Sequence, residues 1–191
     1  MSLNSESKLE PVGSAAGVGA VSSAAVKRPS SRAYFWGFGL VVLALDWFTK
    51  WLVVRNFQPY QSLSIWGEYV QLTYVRNAGG AFSLLANSPA LWRSLLFIGI
   101  AAVTMVVLAV LAYREKQAGW DFLIPLGLIC GGAAGNLIDR VTVGTVVDFI
   151  EVGVKAYHWP VFNLADSAID IGVVWLLAVN LFTGHKASPA A

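Results

Sequence analysis

The uncharged stretch from Ser94 to Tyr113 limits what this chain can fold into more than any other feature. About 20 consecutive apolar residues in a helix cross the roughly 30 Å of hydrocarbon in a bilayer. This stretch lies within a predicted span at 91–113, which ends at a charged triplet. Three further apolar segments predict spans at about 34–54, 120–138 and 163–182. The fold class is therefore predicted as mainly α, a polytopic membrane protein with four transmembrane helices.

Composition agrees with a bilayer as the solvent, because 57% of residues are hydrophobic and only 13% are charged. Soluble domains carry roughly 25% charged residues. The net charge of +2, without a dense Lys/Arg block, argues against a nucleic-acid partner. The single cysteine, Cys130, excludes an intrachain disulfide, and the chain has too few Cys and His residues for a Cys/His metal cluster. Cys130 is interpreted as a small buried hydrophobe.

The termini are predicted to be cytoplasmic. Residues 1–32 are rich in Ser, Ala and Gly and lack aromatic residues, which is typical of a disordered tail rather than a signal peptide. Residues 33–184 are expected to form the four-span domain, and 185–191 a second cytoplasmic tail. Four spans place both termini on one side, and the flanks on that side hold seven Lys and Arg against five opposite. The positive-inside rule favours this orientation by that small margin.

Two segments are expected on the outer face. Residues 69–75, between spans 1 and 2, alternate like a half-buried strand and predict a small β-rich platform. A second outer loop, at about 141–162 between spans 3 and 4, contains a run at 146–150 that is apolar except for Asp148.

Carboxylates accumulate at the outer ends of the predicted spans. Charge inside hydrocarbon costs at least about 2.5 to 3.5 kcal/mol per residue on insertion scales, so each intramembrane ionisable group is a functional hypothesis. Of the six Asp residues only Asp121 maps to the inner end. The others can converge on one outer site: Asp46, Asp139, Asp148, Asp166 and Asp170.

Three motifs have both a structural and a functional interpretation. Asp46 and Lys50 share a helix face and predict either a structural ion pair or a contribution at the edge of a site. The glycines of 77–82, including Gly79 beside Asn77, suit either a peptide-binding loop or a simple turn. The 135–140 motif places an amide, a carboxylate and a guanidinium at one helix end, which favours a hydrogen-bonded scaffold over catalysis. Its polar members are Asn136, Asp139 and Arg140.

Asp148 and Asp166 are the favoured catalytic pair, because they lie on opposite sides of the second outer loop. Two carboxylates about 3 Å apart share one proton, so one can activate water while the other protonates a leaving amine. The alternatives are a solvated loop acid at Asp148 and helix capping at Asp166, three residues after the plausible N-cap Asn163.

Other functional classes stay open at this point. The sequence contains no Gly-x-Ser-x-Gly or His-Glu-x-x-His motif, although a Ser/Lys peptidase using Lys50 is conceivable. A small proton-coupled transporter is a second alternative, but its carboxylates are expected near the midplane. A noncatalytic membrane assembly factor is a third.

Five ordered motifs resemble those of bacterial lipoprotein signal peptidase, also called signal peptidase II. They are Asp46-Trp-Phe-Thr-Lys50, Asn77-Ala-Gly-Gly-Ala-Phe82, Gly135-Asn-Leu-Ile-Asp-Arg140, Val147-Asp148-Phe149 and Phe162-Asn-Leu-Ala-Asp166-Ser. The resemblance implies that Asp148 and Asp166 are the catalytic dyad. It also implies that the other polar motif residues line the site: Asp46, Lys50, Asn77, Asn136, Asp139, Arg140 and Asn163. Trp47 departs from the Gln that the family often has, and the tail lies outside the resemblance.

The resemblance further implies a function. The expected activity is an aspartic endopeptidase of the bacterial inner membrane that cuts diacylglyceryl-modified prolipoproteins just before the lipidated cysteine. The active site is expected near the outer face, and the protein is expected to be a monomer in contact with membrane lipid. No cofactor and no metal are implied.

Overall fold

Four long helices form a bundle in this computed structural model, which describes residues 32–79, 89–115 and 118–182. They are α1 (Arg32–Asn56), α2 (Ala90–Arg114), α3 (Trp120–Thr142) and α4 (Leu164–Phe182). Each is long and apolar enough to cross a membrane, which confirms the four predicted spans. The predicted tails and positions 80–82 of the glycine motif lie outside the described residues, apart from Arg32.

Helix α3 is the centre of the bundle. Helices α1, α2 and α4 each pack against it. In the most apolar 18-residue stretch of α3, 61% is buried inside the protein, whereas the corresponding share in α2 is 11%. Close approach depends on glycine: a Cβ at Gly131 would collide with the backbone of Gly39 in α1, and one at Gly132 would collide with the Ala165 carbonyl in α4. The apolar residues that the outer helices leave exposed therefore form the surface that faces lipid.

A four-stranded antiparallel sheet covers one end of the bundle. Its strands, in spatial order, are β1 (Ser62–Trp66), β2 (Val70–Asn77), β3 (Val146–Val154) and β4 (Tyr157–His158). The sequence predicted the β2 strand but left 146–150 in a separate loop. In the structure Val75 pairs with Asp148 and Asn77 with Val146. The two segments form one sheet because each presents an unpaired strand edge on the same side of the bundle.

Helix α3 continues beyond Ile138, where the sequence predicted its end. Asp139 and Arg140 remain helical, and the helix stops at Thr142, shortly before Gly144 with its positive φ of 81°. The two charges do not mark an exit to water because both have partners inside the protein. Asp139 is 3.0 Å from Lys50 Nζ, and the Arg140 guanidinium lies 4.9 Å from the Phe97 ring centre.

The chain direction brings the polar motifs together. Helices α1 and α3 both run toward the sheet, and α4 leaves from it. The last turns of α1 and α3 therefore meet the first turn of α4 directly beneath β2 and β3.

Candidate active site

A reciprocal cap at the start of α4 sets the position of Asp166. The Asp166 backbone N–H donates to Asn163 Oδ1 at 2.9 Å, and the Asn163 backbone N–H donates to Asp166 Oδ2 at 3.2 Å. This is a capping box, which satisfies two backbone donors at the helix start. The capping interpretation of Asp166 is therefore correct, and it leaves the other carboxylate oxygen, Oδ1, directed elsewhere.

Asp148 lies in the buried first half of β3, where two side-chain amides hold its carboxylate. Asn163 Nδ2 donates to Asp148 Oδ1 at 2.7 Å, and Asn77 Nδ2 donates to Oδ2 at 2.9 Å. Only 2% of Asp148 is exposed, so it is not the solvated loop acid that the sequence left open. Asn163 contacts both Asp148 and Asp166, and this single residue joins the two carboxylates.

Asn136 links Asp166 to α1. Its Nδ2 donates to Asp166 Oδ1 at 2.7 Å, while its Oδ1 accepts from Lys50 Nζ and from Asn163 Nδ2, each at 3.0 Å. Because the oxygen faces two donors, the amide can take only one orientation, with its N–H₂ toward Asp166. The scaffold predicted for the 135–140 motif is thus present.

Lys50 is buried among three oxygen acceptors. Its Nζ lies 2.8 Å from Asp46 Oδ2, 3.0 Å from Asp139 Oδ2 and 3.0 Å from Asn136 Oδ1. An ammonium group has three N–H donors, so these contacts use all of them. Asp46 and Lys50 form the predicted ion pair, and Asp139 extends it to α3.

Asp46 and Asp139 also hold backbone at both sides of the site. Asp46 Oδ1 accepts the Ala165 N–H of α4 at 3.0 Å, and Asp139 Oδ2 accepts the Val147 N–H of β3 at 3.2 Å. A Cβ at Gly135 would collide with Asp46 Oδ2. The charged residues of α1 and α3 therefore fix the segments that carry Asp166 and Asp148.

The first part of the glycine motif orients Asn77. The Gly79 backbone N–H donates to Asn77 Oδ1 at 3.0 Å, which turns the amide nitrogen toward Asp148. A cavity of about 770 Å³ opens beside these groups. It is lined by six of the predicted site residues: Asn77, Gly79, Asn136, Arg140, Asp148 and Asp166. Asp46, Lys50, Asp139 and Asn163 lie behind this wall and support it.

Burial raises the pKa of Asp148 from its ordinary value of 3.8 to about 7. The Asn77 hydrogen bond lowers this pKa and the negative charge of Asp166 raises it. A carboxyl group with a pKa near 7 can hold a proton at neutral pH and still release it, which general acid–base chemistry requires.

Several cavity residues were not identified from the sequence as site residues. Arg76 and Arg93 line the same cavity, as does the segment 159–162. Asp170, which the sequence grouped with the acids that can converge on one site, lines it too. Arg93 lies near the start of α2 and was counted only as a flanking charge. A basic residue within the first turn of an apolar span was the available signal, but its direction depends on how α2 packs on α3.

Comparisons with known proteins agree with this architecture. The family model described as signal peptidase (SPase) II matches residues 38–182. A protein named lipoprotein signal peptidase from Moorella thermoacetica is 44% identical over 138 residues, or 72% of this chain and 85% of that protein. A protein of the same name from Syntrophus aciditrophicus is 40% identical over 137 residues, with the same two coverages.

Two solved structures are also similar. Both are described as bacterial membrane enzymes studied by the in meso method, at 2.3 Å and 1.9 Å resolution. The first has a TM-score of 0.69 and 26% identity, covering 82% of this chain and 93% of its own. The second has a TM-score of 0.70 and 27% identity, covering 78% and 94%.

Proposed function

The chain belongs to the signal peptidase II family, and on that premise we propose that it is an aspartic endopeptidase which removes signal peptides from diacylglyceryl-modified prolipoproteins. Cleavage falls just before the lipidated cysteine. Asp148 and Asp166 are the proposed catalytic dyad. The observation that carries this assignment is Asn163, which donates from Nδ2 to Asp148 and from its backbone N–H to Asp166.

The proposed reaction needs one proton on the dyad. The ionised carboxylate takes a proton from water, and the resulting hydroxide forms a C–O bond with the scissile carbonyl carbon. The C–N bond then breaks as the protonated carboxyl gives its proton to the departing amine. The pKa of Asp148, near 7, is consistent with a dyad that holds a single proton at neutral pH.

The remaining groups position the dyad and the substrate. The side-chain amides of Asn77, Asn136 and Asn163 each donate to a carboxylate oxygen of the pair, and Lys50 keeps Asn136 in its orientation. The Arg140 guanidinium donates to the backbone carbonyl of Asn136 at 3.2 Å. It also lines the cavity, where it can bind polar groups of lipid or peptide.

The proposed setting is the bacterial inner membrane, with both termini in the cytoplasm and the sheet at the outer surface. The Lys/Arg balance of the flanks supports this orientation. Residues 33–184 form the proposed catalytic unit, acting as a monomer. The clustering of carboxylates at the sheet end favours a peptidase over a transporter, for which carboxylates near the midplane are expected.

The test is signal-peptide release from a diacylglyceryl-modified prolipoprotein, followed by gel shift. Asp148→Asn and Asp166→Asn are nearly isosteric, and each is expected to lower turnover by about 10³-fold or more while the protein stays folded. Asp121→Asn, at the opposite end of α3, is the matched control and keeps wild-type turnover. Near-wild-type cleavage by either dyad variant would disprove the catalytic assignment.

A further inference from the structure

A line of polar side chains crosses all four strands of the sheet and ends at His158. The Thr73 hydroxyl oxygen of β2 lies 2.9 Å from the Ser62 hydroxyl oxygen of β1. The same Thr73 hydroxyl donates to Glu151 Oε2 of β3, and Glu151 Oε1 lies 3.0 Å from His158 Nδ1 of β4. Strand β4 is only two residues long. The line therefore adds a side-chain attachment to a strand that has few backbone hydrogen bonds of its own.

Both ring nitrogens of His158 face hydrogen-bond acceptors. Nδ1 lies 3.0 Å from Glu151 Oε1, and Nε2 lies 3.1 Å from the Lys155 carbonyl oxygen. A carboxylate and a carbonyl oxygen only accept, and a neutral imidazole has a single N–H to donate. The imidazolium form donates to both, and the negative charge of Glu151 compensates its positive charge. Both contacts are therefore complete only when His158 is protonated.

Gly153 allows the ring to reach this position. It is the β3 partner of His158 in the strand pairing, and a Cβ at Gly153 would lie 2.6 Å from His158 Nδ1. The ring therefore lies directly against the β3 backbone. The side chain of His158 is 34% exposed and that of Glu151 is 19% exposed. A partly exposed ion pair adds little to the stability of a whole protein, so the effect of this pair is local to the β3–β4 hairpin.

The segment that follows His158 is one wall of the catalytic cavity, at 159–162. The Trp159 N–H donates to the Val152 carbonyl at 2.8 Å, and Phe162 exchanges two backbone hydrogen bonds with Ile150. The next residue is Asn163, which contacts both carboxylates of the proposed dyad. The hairpin at His158 thus fixes the beginning of the wall, and the dyad fixes its end. A change at His158 can move the wall without disturbing the dyad.

The groups around His158 determine how its charge responds to pH. Histidine is the side chain that ordinarily changes charge between pH 5 and 8. Glu151 faces it from β3, and Lys155 lies in the turn between the two strands, where its exposure lets water screen its charge. Tyr69 and Tyr157 line the same groove as His158, and tyrosine carries no charge in this range. Glu151 is therefore the neighbour whose charge favours protonated His158.

We propose that protonated His158 is a positioning residue that holds the 159–162 wall where substrate binds. As pH rises and His158 loses its proton, one of its two ring contacts is lost and the affinity for substrate falls. This inference rests on the proposed function. It concerns binding rather than bond cleavage, so KM changes and kcat does not.

The experiment measures KM and kcat for a lipid-modified prolipoprotein at pH 5.5 and pH 8.5, in wild type and in His158→Gln. Glutamine keeps a donor near the position of Nε2 and has none at that of Nδ1. The KM of the variant should be about threefold to fivefold that of wild type at pH 5.5 and equal to it at pH 8.5. The dyad titrates alike in both proteins, so its effect cancels in this ratio. Lys155→Met keeps the carbonyl that accepts from Nε2 and should leave KM unchanged at both pH values.

Two results would overturn the inference and leave the peptidase intact. One is equal KM for His158→Gln and wild type at pH 5.5. The other is a raised ratio that persists at pH 8.5, which would mean that the ring matters but its proton does not. A wild-type kcat shows that His158→Gln is folded. If wild-type protein cleaves no lipid-modified prolipoprotein, the proposed function fails and this inference fails with it.

Two further measurements test the contact from other sides. Glu151→Gln removes the carboxylate, so it should raise KM at pH 5.5 by the same factor, and an unchanged KM there rejects the inference. In protein with ¹⁵N-labelled histidine, the His158 signals are those that His158→Gln lacks. Both of its ring nitrogens should carry a proton at pH 5.5 and one of them at pH 8.5. A ring with a single N–H at pH 5.5 also overturns the inference.

Discussion

The two ends of the bundle bring the same helices together by opposite means. At the sheet end, α1 and α3 meet through Asp46, Lys50 and Asp139, all with hydrogen-bonding or ionic partners. At the other end they meet through glycine backbone and an apolar cluster that includes Phe35 and Leu123. The stability that apolar packing gives does not depend on the protonation of side chains. The stability of the polar end does, because each buried donor there needs its acceptor. The apolar end therefore contributes to stability alone, whereas the polar end contributes both to stability and to the proposed chemistry.

Removing Lys50 is expected to have the largest effect on the polar end. Lys50→Met leaves Asp46 and Asp139 buried without their cation, and breaking a buried ion pair by removing one partner costs about 3–5 kcal/mol. It also frees Asn136 to rotate away from Asp166, so turnover should fall by about 100-fold or more. Unfolding in detergent and prolipoprotein cleavage measure the two effects.

Lys155→Met provides the control, because Lys155 is exposed on the turn between β3 and β4. Its unfolding free energy should change by no more than about 0.5 kcal/mol. A Lys50→Met protein with wild-type stability and turnover would show that the polar end does not depend on its buried cation, and the contrast between the two ends would be lost.

At the apolar end, Gly131→Ala is expected to affect stability alone. The new Cβ collides with the Gly39 backbone of α1, which cannot move aside as a flexible side chain would. Such overpacking costs about 1–3 kcal/mol. Cleavage per folded molecule should stay at the wild-type level, since Gly131 does not line the catalytic cavity.

Gly99→Ala is the matched substitution in α2, where nothing lies within 4 Å of the added Cβ. It should leave stability unchanged or raise it by about 0.5–1 kcal/mol, because alanine loses less backbone entropy in a helix. If Gly131→Ala instead lowered turnover of the folded protein, the separation between the two ends would be wrong.

The sequence predicted the membrane spans and the polar site residues. It did not predict the contacts between those residues. An uncharged run such as 94–113 has few structural solutions, and its length alone indicates a span. The acids at 148 and 166 were found by chemistry and by resemblance to a family. The pairing of β2 with β3 was not found, because it joins strands separated by two whole helices. The three partners of Lys50 lie on two helices, and only the packing of α1 on α3 determines which oxygens reach its ammonium group.

The smallest expected effect concerns a single hydrogen bond at the polar end. Asn77→Ala removes the donor to Asp148 Oδ2, which stabilises the anion, so the pKa of Asp148 should rise further above about 7. Activity of a one-proton dyad is lost when pH removes that proton, so the alkaline limb of the pH–rate profile should move to higher pH. The matched control is Asn56→Ala, whose amide donates to the Leu52 carbonyl at 2.7 Å, and it should leave the limb in place.

The raised pKa of Asp148 also makes the stability of the folded protein depend on pH. Asp148 binds its proton more tightly in the folded state than in the unfolded state, where its pKa is near 3.8. Its contribution is therefore complete below pH 4 and is lost as pH rises through about 7. In Asn77→Ala this loss should occur at higher pH, in parallel with the activity limb. A limb that moved without a matching change in pH-dependent stability would mean that another group of the polar end, and not Asp148, limits activity at alkaline pH.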